Sequence, residues 1–386
     1  MAIGDVCKLH LENIALGADA LGRFEGKSVF VEGGAPDETV ICRITEEQKT
    51  WARAELLEII EPSPVRVESK CTYYKKCGGC NFAHIDYAAQ LKIKTSMLSE
   101  TFVKTAGFLP PAPEVFASPP WGYRNRMQFH CLREKAKADS PKYGLKGRRS
   151  AEIIAVSDCP AAVSGIRKIL GAANQLSLPP EKDRFTVFSY DDILLNEGGL
   201  QKSKIKLLDK DFFIDAGLFF QSNCFMLEKL ILELRKTAQN ADRNLPMADL
   251  YCGVGTFAVF LGELFPKVIL AEENKAAISL ARENLKKIAA DYFTLHDTDW
   301  QRILFRQKTS FGFAVIDPPR AGLNYKLAEA LARDGPPLLA YVSCDPASLA
   351  RDSKILTGGG YKLKELKFFD FYPQTSHIES LAVFKR

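Results

Sequence analysis

The sequence lacks any long hydrophobic run, any secretory leader and any dense set of cysteines. Its longest apolar runs, such as residues 257–261 and 338–342, fall far short of the ~18 residues that a membrane span needs. The N-terminus reaches an acid at Asp5 and has neither the basic nor the apolar stretch of a secretory signal. Ten Cys in 386 residues are too few for a disulfide scaffold. We therefore expect a cytoplasmic protein with no membrane segment, in which clustered cysteines serve a metal or catalysis.

The composition is that of a folded protein, with 46% hydrophobic and 26% charged residues. A chain of 386 residues accommodates roughly two or three domains. Short β segments at 27–31, 39–44 and 54–60 predict a small N-terminal barrel. After it, the pattern predicts one amphipathic helix between Asp86 and Gly107. Strands at 124–131 and 151–156 complete a central α+β segment.

Charge is unevenly divided along the chain. Residues 1–60 carry 6 basic and 11 acidic side chains, whereas residues 61–170 carry 18 basic and 9 acidic ones. A locally basic segment with an available aromatic ring, Tyr143, is typical of a surface that contacts RNA phosphates and stacks on bases. The basic side chains around this ring are Arg133, Lys135, Lys137, Lys142, Lys146, Arg148 and Arg149. A solvated surface loop is the alternative interpretation.

Beyond residue 220 the chain alternates strand, turn and helix, which predicts a parallel sheet covered by helices. The expected strands are residues 248–251, 267–271, 313–316 and 338–342. Ligands of open α/β sheets bind beyond the carboxyl ends of the strands. The four loops that follow these strands are therefore expected to share one edge and to form the active site.

The first of these loops has the glycines of a nucleotide-cofactor site. Gly253 and Gly255 lie at a strand-to-helix turn, and Glu272 follows Gly253 by 19 residues, suited to ribose hydroxyls. This pattern alone fits either NAD or S-adenosylmethionine. The sequences Asp317-Pro-Pro-Arg320 and Ser343-Cys-Asp345 after later strands have no evident use in a dehydrogenase, which favours S-adenosylmethionine.

Cys71, Cys77 and Cys80 offer three thiolates from one loop. Thiolates at this spacing suit an iron-sulfur cluster or tetrahedral zinc, and a redox dithiol is a weaker alternative. Spacing alone leaves the metal open.

Seven motifs occur in order along nearly the whole chain. They are Cys71-x5-Cys77-Gly-Gly-Cys80, Tyr123-Arg-Asn-Arg126, Phe219-Phe-Gln-Ser-Asn223, the Gly253 loop, Asp317-Pro-Pro-Arg320, Ser343-Cys-Asp345 and His377-Ile-Glu379. With these motifs the chain resembles the S-adenosylmethionine-dependent RNA uracil-5-methyltransferases, especially the bacterial 23S rRNA branch with a TRAM domain and an iron-sulfur cluster. The resemblance implies an α/β fold with a class I methyltransferase Rossmann-like domain, a small TRAM/OB-like barrel and a central α+β domain carrying the cysteines.

The expected domains are residues 1–61 for the barrel, 62–215 for the cluster-bearing RNA-binding domain and 216–386 for the methyltransferase domain. The resemblance implies that Cys344 adds to uracil C6 as the nucleophile and that Glu379 removes the C5 proton. It also implies a [4Fe-4S] cluster, with zinc as the alternative, on Cys71, Cys77, Cys80 and Cys159. The S-adenosylmethionine pocket is expected to contain Gln221, Tyr251, Thr256, Glu272, Asp297 and Asp317.

We expect a monomer whose partner is structured RNA, most readily 23S rRNA. One alternative is methylation of uridine C5 in tRNA. Another is an amino-group nucleic-acid methyltransferase that uses Asp317-Pro-Pro and needs neither Cys344 nor Glu379. A noncatalytic RNA-binding protein, with the barrel and the cysteines as a scaffold, is a further alternative that the full motif set disfavours.

Overall fold

The computed structural model describes residues 1–132, 143–171, 176, 181–286, 288, 291–295 and 310–386. Three sheets of five, two and eight strands follow a closed barrel along the chain. Within the described ranges, no helix combines the length and the apolar character needed to cross a membrane.

The first five strands form a closed barrel with the order β1-β2-β3-β5-β4. These strands are β1 (Val6–Ile14), β2 (Ala20–Phe24), β3 (Lys27–Glu32), β4 (Glu38–Glu47) and β5 (Trp51–Glu61). The three predicted β segments correspond to β3, β4 and β5. The sequence patterns did not reveal β1 and β2. In β1 the buried Leu9 and Leu11 alternate with exposed polar residues, so no apolar run marks the strand.

Residues 62–86, which hold three of the clustered cysteines, contain no helix or strand. Helix α1 (Tyr87–Thr101) then begins at Asp86, whose side chain caps it, and a π-helical turn extends it to Gly107 at φ 82°. The predicted helix is therefore confirmed, but it is not amphipathic as expected. Its buried side includes Gln90 and Lys94 beside Met97 and Leu98, because polar groups of a later loop bind there.

A five-stranded sheet with the order β11-β10-β7-β8-β9 forms the centre of the chain, and helix α2 (Ser164–Gly171) packs against it. The predicted strand at 151–156 is reduced to two residues, Ile153 and Ile154. A separate two-stranded sheet follows the five-stranded sheet along the chain. The strands of the two sheets are β7 (Arg126–Cys131), β8 (Tyr143–Lys146), β9 (Ile153–Ile154), β10 (Arg184–Tyr190), β11 (Ile193–Asn196), β12 (Lys202–Leu207) and β13 (Lys210–Asp215).

The C-terminal half contains an eight-stranded sheet with the order β16-β15-β14-β17-β18-β20-β19-β6. The strands from β16 to β18 run parallel, which confirms the predicted α/β fold. The members are β6 (Glu114–Phe116), β14 (Met247–Leu250), β15 (Lys267–Ala271), β16 (Asp291–Leu295), β17 (Phe313–Ile316), β18 (Leu338–Ser343), β19 (Lys362–Phe369) and β20 (Glu379–Lys385).

Helices connect and cover the parallel strands. They are α3 (Cys224–Ala238), α4 (Thr256–Leu261), α5 (Lys275–Leu285), α6 (Tyr325–Asp334) and α7 (Pro346–Gly358). Strand β6 comes from the segment assigned by sequence to the central domain, yet it pairs with β19 of the C-terminal sheet. The domain boundaries at residues 61/62 and 215/216 remain predictions.

Candidate active site

A cavity of about 580 Å³ lies at the carboxyl ends of the parallel strands. Loops after β14, β15, β17 and β18 all contribute to it, as the strand pattern predicts. The residues that line it are Phe219, Gln221, Tyr251, Gly253, Glu272, Glu273, Asn274, Ala277, Asp317, Pro318, Pro319, Arg320, Cys344, Tyr372, His377 and Glu379.

The glycine loop after β14 bends sharply to expose its backbone to the cavity. Tyr251, Gly253 and Gly255 all have left-handed backbone conformations, with φ of 61°, 52° and 82°. A Cβ at Gly253 would meet nothing within 4 Å, so this side of the loop is open. One oxygen of Glu272 accepts a hydrogen bond from Gly253 N–H at 3.0 Å, and its other oxygen accepts from Asn274 N–H at 2.8 Å. Glu272 therefore fixes the loop while lining the cavity.

Gln221 reaches the cavity from the loop between β13 and α3. Its Oε1 is buried and has no hydrogen-bond partner among the described residues. A buried acceptor without a donor is costly, so this atom suits a ligand that carries N–H or O–H groups. An ammonium group, such as that of S-adenosylmethionine, meets this requirement. The residues present therefore fit that cofactor.

Asp317 follows β17, and its backbone N–H donates to Leu250 O at 3.3 Å. Burial raises the pKa of Asp317 from 3.8 to about 7. A positively charged ligand would favour the ionised form of this carboxyl group. The cavity thus combines an open glycine loop, a buried amide acceptor and a buried acid.

The candidate nucleophile and base come from two neighbouring antiparallel strands. Ser343, the last residue of β18, pairs with Ser380 of β20, and Cys344 and Glu379 are the next residues beyond this pair. Cys344 is half-buried and Glu379 is 3% exposed. Two residues that lie 35 positions apart in sequence are therefore brought together by strand pairing.

Burial raises the pKa of Cys344 to about 12; charges on Glu379 and Asp317 act in the same direction, while Arg320 opposes them. Burial and the charge of Asp317 also hold the pKa of Glu379 well above its usual range. These three acidic groups thus favour their protonated forms in the ligand-free cavity. A bound cation would shift all three toward ionisation.

Several lining residues were not singled out by the sequence. Arg320 Nη2 lies 3.4 Å from His377 Nδ1, and burial lowers the pKa of His377 to about 4, so its imidazole is neutral at pH 7. The Phe219 ring is 64% exposed at the cavity, and the Arg126 guanidinium lies 5.7 Å from its centroid. Arg320, His377 and Phe219 belong to the sequence motifs, but the motifs do not show which of their residues line the cavity. Tyr372 lies outside every motif, so nothing in the sequence indicated its position.

Two predicted cofactor residues are not placed in this cavity. Thr256 is the first residue of α4 and is absent from the lining. Asp297 lies outside the residues that the structure describes. The other four predicted cofactor residues, Gln221, Tyr251, Glu272 and Asp317, all line the cavity with Cys344 and Glu379.

The four candidate metal ligands lie near one another. Burial raises the pKa of Cys80 to about 12, and charges on Cys159, Cys77 and Cys71 contribute in the same direction. Arg124 opposes this rise, as a cation beside thiolates would. In the part of the chain that the structure describes, however, no three or more His, Cys, Asp or Glu side chains are arranged to hold a metal ion. The donor types and their proximity fit a thiolate-bound metal, although their arrangement is not that of a formed site.

The basic segment is only partly available to RNA. Arg149 pairs with Asp19 at 2.6 Å and with Glu32 at 3.0 Å, so its charge is neutralised by the acidic barrel. Arg148 also pairs with Glu32, at 3.2 Å, and donates to two backbone carbonyls of the cysteine segment. Four other members of the predicted basic loop, Arg133, Lys135, Lys137 and Lys142, lie outside the described residues.

Another part of the predicted basic segment borders the cysteine loop. A cleft of about 630 Å³ there includes Cys77, His130 and the exposed Lys146. Burial lowers the pKa of His130, and the positive charges of Lys146 and Arg184 lower it further. Cations that crowd together in this way create a positive potential that attracts phosphates.

Comparison with known proteins gives two family matches. Residues 191–386 match the model described as tRNA (Uracil-5-)-methyltransferase, and residues 10–57 match the TRAM domain, within the five-stranded barrel.

Curated relatives cover nearly the whole chain. An uncharacterized RNA methyltransferase of Treponema denticola is 32% identical, over 94% of this chain and 94% of its own length. The 23S rRNA (uracil(1939)-C(5))-methyltransferase RlmD of Shewanella sp. strain W3-18-1 is 30% identical, over 96% of this chain and 93% of its own.

Among solved structures, the Pyrococcus abyssi tRNA (uracil-54, C5)-methyltransferase in complex with S-adenosyl-L-homocysteine has a TM-score of 0.73. It covers 98% of this chain and 100% of its own at 24% identity. This likeness supports the fold.

Proposed function

This chain belongs to the tRNA (Uracil-5-)-methyltransferase family, whose members methylate RNA uracil C5 with S-adenosylmethionine, and we propose that its substrate is 23S rRNA. The Shewanella relative, named for this RNA, matches the chain over nearly its full length, including the barrel and the cysteine segment. Methylation of tRNA is the competing substrate assignment. An amino-group methyltransferase is disfavoured because it needs no thiol opposite a buried carboxyl group.

The observation that carries the proposed mechanism is that Cys344 and Glu379 line one cavity, beside the last pair of the β18–β20 ladder. Uracil C5 is too weak a nucleophile to accept a methyl group unaided. We propose that Cys344 gives up its proton to water and that its thiolate bonds to C6, which turns the ring into an enolate with electron density at C5. When bound, S-adenosylmethionine would supply the methyl group to C5 from its sulfonium and would be left as the neutral thioether.

The second half of the reaction requires a base. Glu379 takes the proton from C5, the C6–S bond breaks with its electron pair returning to sulfur, and 5-methyluracil and the Cys344 thiolate are formed. The raised pKa of Glu379 means that its carboxylate, once ionised beside a bound cation, binds a proton strongly. Gln221, Tyr251, Glu272 and Asp317 are proposed to hold the cofactor, as are Thr256 and Asp297.

A base paired inside folded RNA is out of reach of a thiol in a cavity, so the target uridine must be unpaired or flipped out. We propose that the cleft beside Cys77, with His130 and Lys146, receives the RNA backbone. The like-charge crowding of His130 supports this role.

We further propose that Cys71, Cys77, Cys80 and Cys159 hold a [4Fe-4S] cluster, with zinc as the alternative. Four thiolates suit either metal, and the cluster would supply structural support, because methyl transfer to C5 needs no electron. Metal analysis and the absorption of anaerobically purified protein near ~400 nm, where thiolate-bound iron absorbs, distinguish the two. A cytoplasmic location and a monomeric state complete the proposal.

The direct test is to map 5-methyluridine in RNA from cells with and without this gene. Loss of one or more 5-methyluridines from 23S rRNA, with tRNA unchanged, is the expected result. Loss from tRNA alone would replace the proposed substrate.

A further inference from the structure

The loop of residues 370–378, termed here the base loop, joins β19 to β20 and ends directly before Glu379. It also places Tyr372 and His377 in the lining of the cavity. The orientation of the candidate base therefore depends on how this loop is held. The contacts that hold the base loop come mainly from a different part of the chain, residues 81–123.

The base loop is strained at its centre. Gln374 has φ 66°, a left-handed conformation that is unfavourable for a non-glycine residue. Its backbone N–H donates to Gln90 Oε1 at 2.9 Å, and its carbonyl oxygen accepts from the N–H groups of Asn81 at 3.0 Å and Phe82 at 2.9 Å. Strain of this kind persists where surrounding contacts over-determine the conformation. Here those contacts come from residues 81–90.

The start of the base loop is held by a buried ion pair. Lys94 Nζ donates to Asp370 Oδ1 at 2.7 Å and to Tyr372 O at 3.0 Å, and both charged side chains are 0% exposed. Tyr123 OH donates to Pro373 O at 2.8 Å. A fully buried pair is specific in its geometry, since moving either partner would leave a charge unpaired.

The end of the base loop is held by the side chain of Asn81 and, at 3.4 Å from His377, by that of Arg320. Asn81 Oδ1 accepts from Ser376 N–H at 2.8 Å, while Asn81 Nδ2 donates to Ser376 Oγ at 3.2 Å. The two residues are 295 positions apart in sequence. Ser376 precedes Glu379 by three residues, and Asn81 directly follows Cys80. Asn81 thus connects the cysteine loop to the polypeptide that carries the base.

We propose that Asn81 is a positioning residue for the methylation reaction. By fixing Ser376, it sets the register of the base loop and directs Glu379 toward the C5 proton; this inference rests on the proposed function. A change in the path of the chain at Cys80 would be transmitted through Asn81 to the base. The cysteine loop thereby gains a role in catalysis that requires no electron transfer.

If Asn81 positions Glu379, its loss should affect only the step in which the C5 proton is removed. Addition of Cys344 to C6 and methyl transfer to C5 precede proton removal, so they do not need Glu379 in place. Elimination of the thiol requires loss of the C5 proton. A misplaced base therefore slows only the last step, and the methylated RNA remains bonded to Cys344.

The experiment compares Asn81→Ala with the wild-type chain and with Asn240→Ala, a matched control. Asn240 is exposed and bonds only within its own helix end. A 23S rRNA transcript containing 5-fluorouridine reports the early steps, because the fluorine prevents elimination and traps the covalent complex. An unmodified transcript reports turnover. We expect Asn81→Ala to lower kcat about 10-fold, through lost orientation of the base. Trapping should stay within about twofold of the wild-type rate, because orientation of the base does not affect it.

The Asn81→Ala protein should also accumulate a covalent complex with unmodified RNA, visible on a denaturing gel, whereas Asn240→Ala should not. Asn81→Asp keeps an oxygen for Ser376 N–H and an acceptor for its hydroxyl group, so it should restore most of the turnover. Equal losses of turnover and trapping in Asn81→Ala, or no loss of either, would overturn the proposed role. If the wild-type chain itself traps no fluorinated RNA, the proposed function fails instead.

Discussion

Two regions of this methyltransferase hold buried or half-buried acids in opposite ways. Where the barrel meets the cysteine segment, Asp19 and Glu32 pair with Arg149, and Glu38 pairs with Arg66. In the cavity, Asp317 and Glu379 form no ion pair with any residue that the structure describes.

The pKa values follow from this difference. Burial alone would raise the pKa of Glu38, but hydrogen bonds from Arg66 and from Ala35 N–H outweigh it, and the pKa is lowered. In contrast, burial raises the pKa of Asp317 to about 7. Paired charges stabilise the junction, which is the contact between the barrel and the cysteine segment, whereas the acids of the cavity stay unpaired until a ligand binds. The junction therefore supports the structure, and the cavity serves ligand binding.

The strongest test of the cavity is Cys344→Ala. Removal of the thiol eliminates the covalent route, so turnover should fall by at least about 10³-fold, and fluorinated RNA should no longer be trapped. Single-turnover methylation of a 23S rRNA transcript and a denaturing gel provide the two measurements. Cys131→Ala, a half-buried cysteine on β7, serves as the control. Substantial methylation by Cys344→Ala would assign the chemistry to another mechanism.

Glu379→Gln separates the base from the nucleophile. Loss of general base catalysis should lower kcat by about 10²–10⁴-fold, while trapping of fluorinated RNA persists, because the thiol is intact. With unmodified RNA the variant should accumulate a methylated covalent complex. Rate measurements should be paired with mass spectrometry of the adduct. Normal turnover in this variant would show that another group removes the proton.

Asp317→Asn tests whether the ionised carboxyl group of Asp317 destabilises the ligand-free fold. The folded protein holds a proton on Asp317 up to about pH 7, whereas the unfolded chain releases it near 3.8. The folded state therefore binds more protons between these values, and the free energy of unfolding falls as pH rises from about 4 to about 7.

An asparagine at position 317 removes the part of this fall that Asp317 contributes, whereas Glu379 and Asp249, whose pKa values burial also raises, keep theirs. The variant should exceed the wild-type protein in stability at pH 8 by on the order of 1–4 kcal/mol, while it binds S-adenosylmethionine less tightly. Urea denaturation of the ligand-free proteins from pH 4 to pH 8 measures the difference. The exposed Asp192→Asn provides the control. An unchanged pH slope would mean that Asp317 already has a partner.

The smallest effects concern the basic residues. Lys146→Ala should reduce the slope of log affinity against log salt by about 1 for RNA binding, as loss of one phosphate contact does. Arg149→Ala should leave that slope unchanged and lower stability by less than about 1 kcal/mol, because its ion pairs are half exposed. Filter binding over a salt series makes the comparison. Arg149 also lines the cleft of Cys77 and Lys146, so a reduced slope in Arg149→Ala would mean that its ion pairs break when RNA binds.

Sequence patterns were most successful in the C-terminal sheet. The strands expected at 267–271 and 313–316 match β15 and β17 because parallel strands covered on both faces read as continuous apolar runs. The strands of the barrel were harder to predict from the sequence, since β1 alternates buried and exposed residues. Helix α1 was located correctly, but its polar buried side was missed, because Gln90 and Lys94 bind loop residues 284 and 276 positions away.

Residue types at strand ends could be read from the chain by itself: a glycine turn, a buried acid before prolines, a thiol and a late glutamate. Only strand pairing brings Cys344 and Glu379 to the same end of one ladder, and only packing pairs Arg149 with Asp19. Electrostatic and hydrogen-bond energies depend on distance through space. That distance is fixed only when segments far apart in the chain fold against one another.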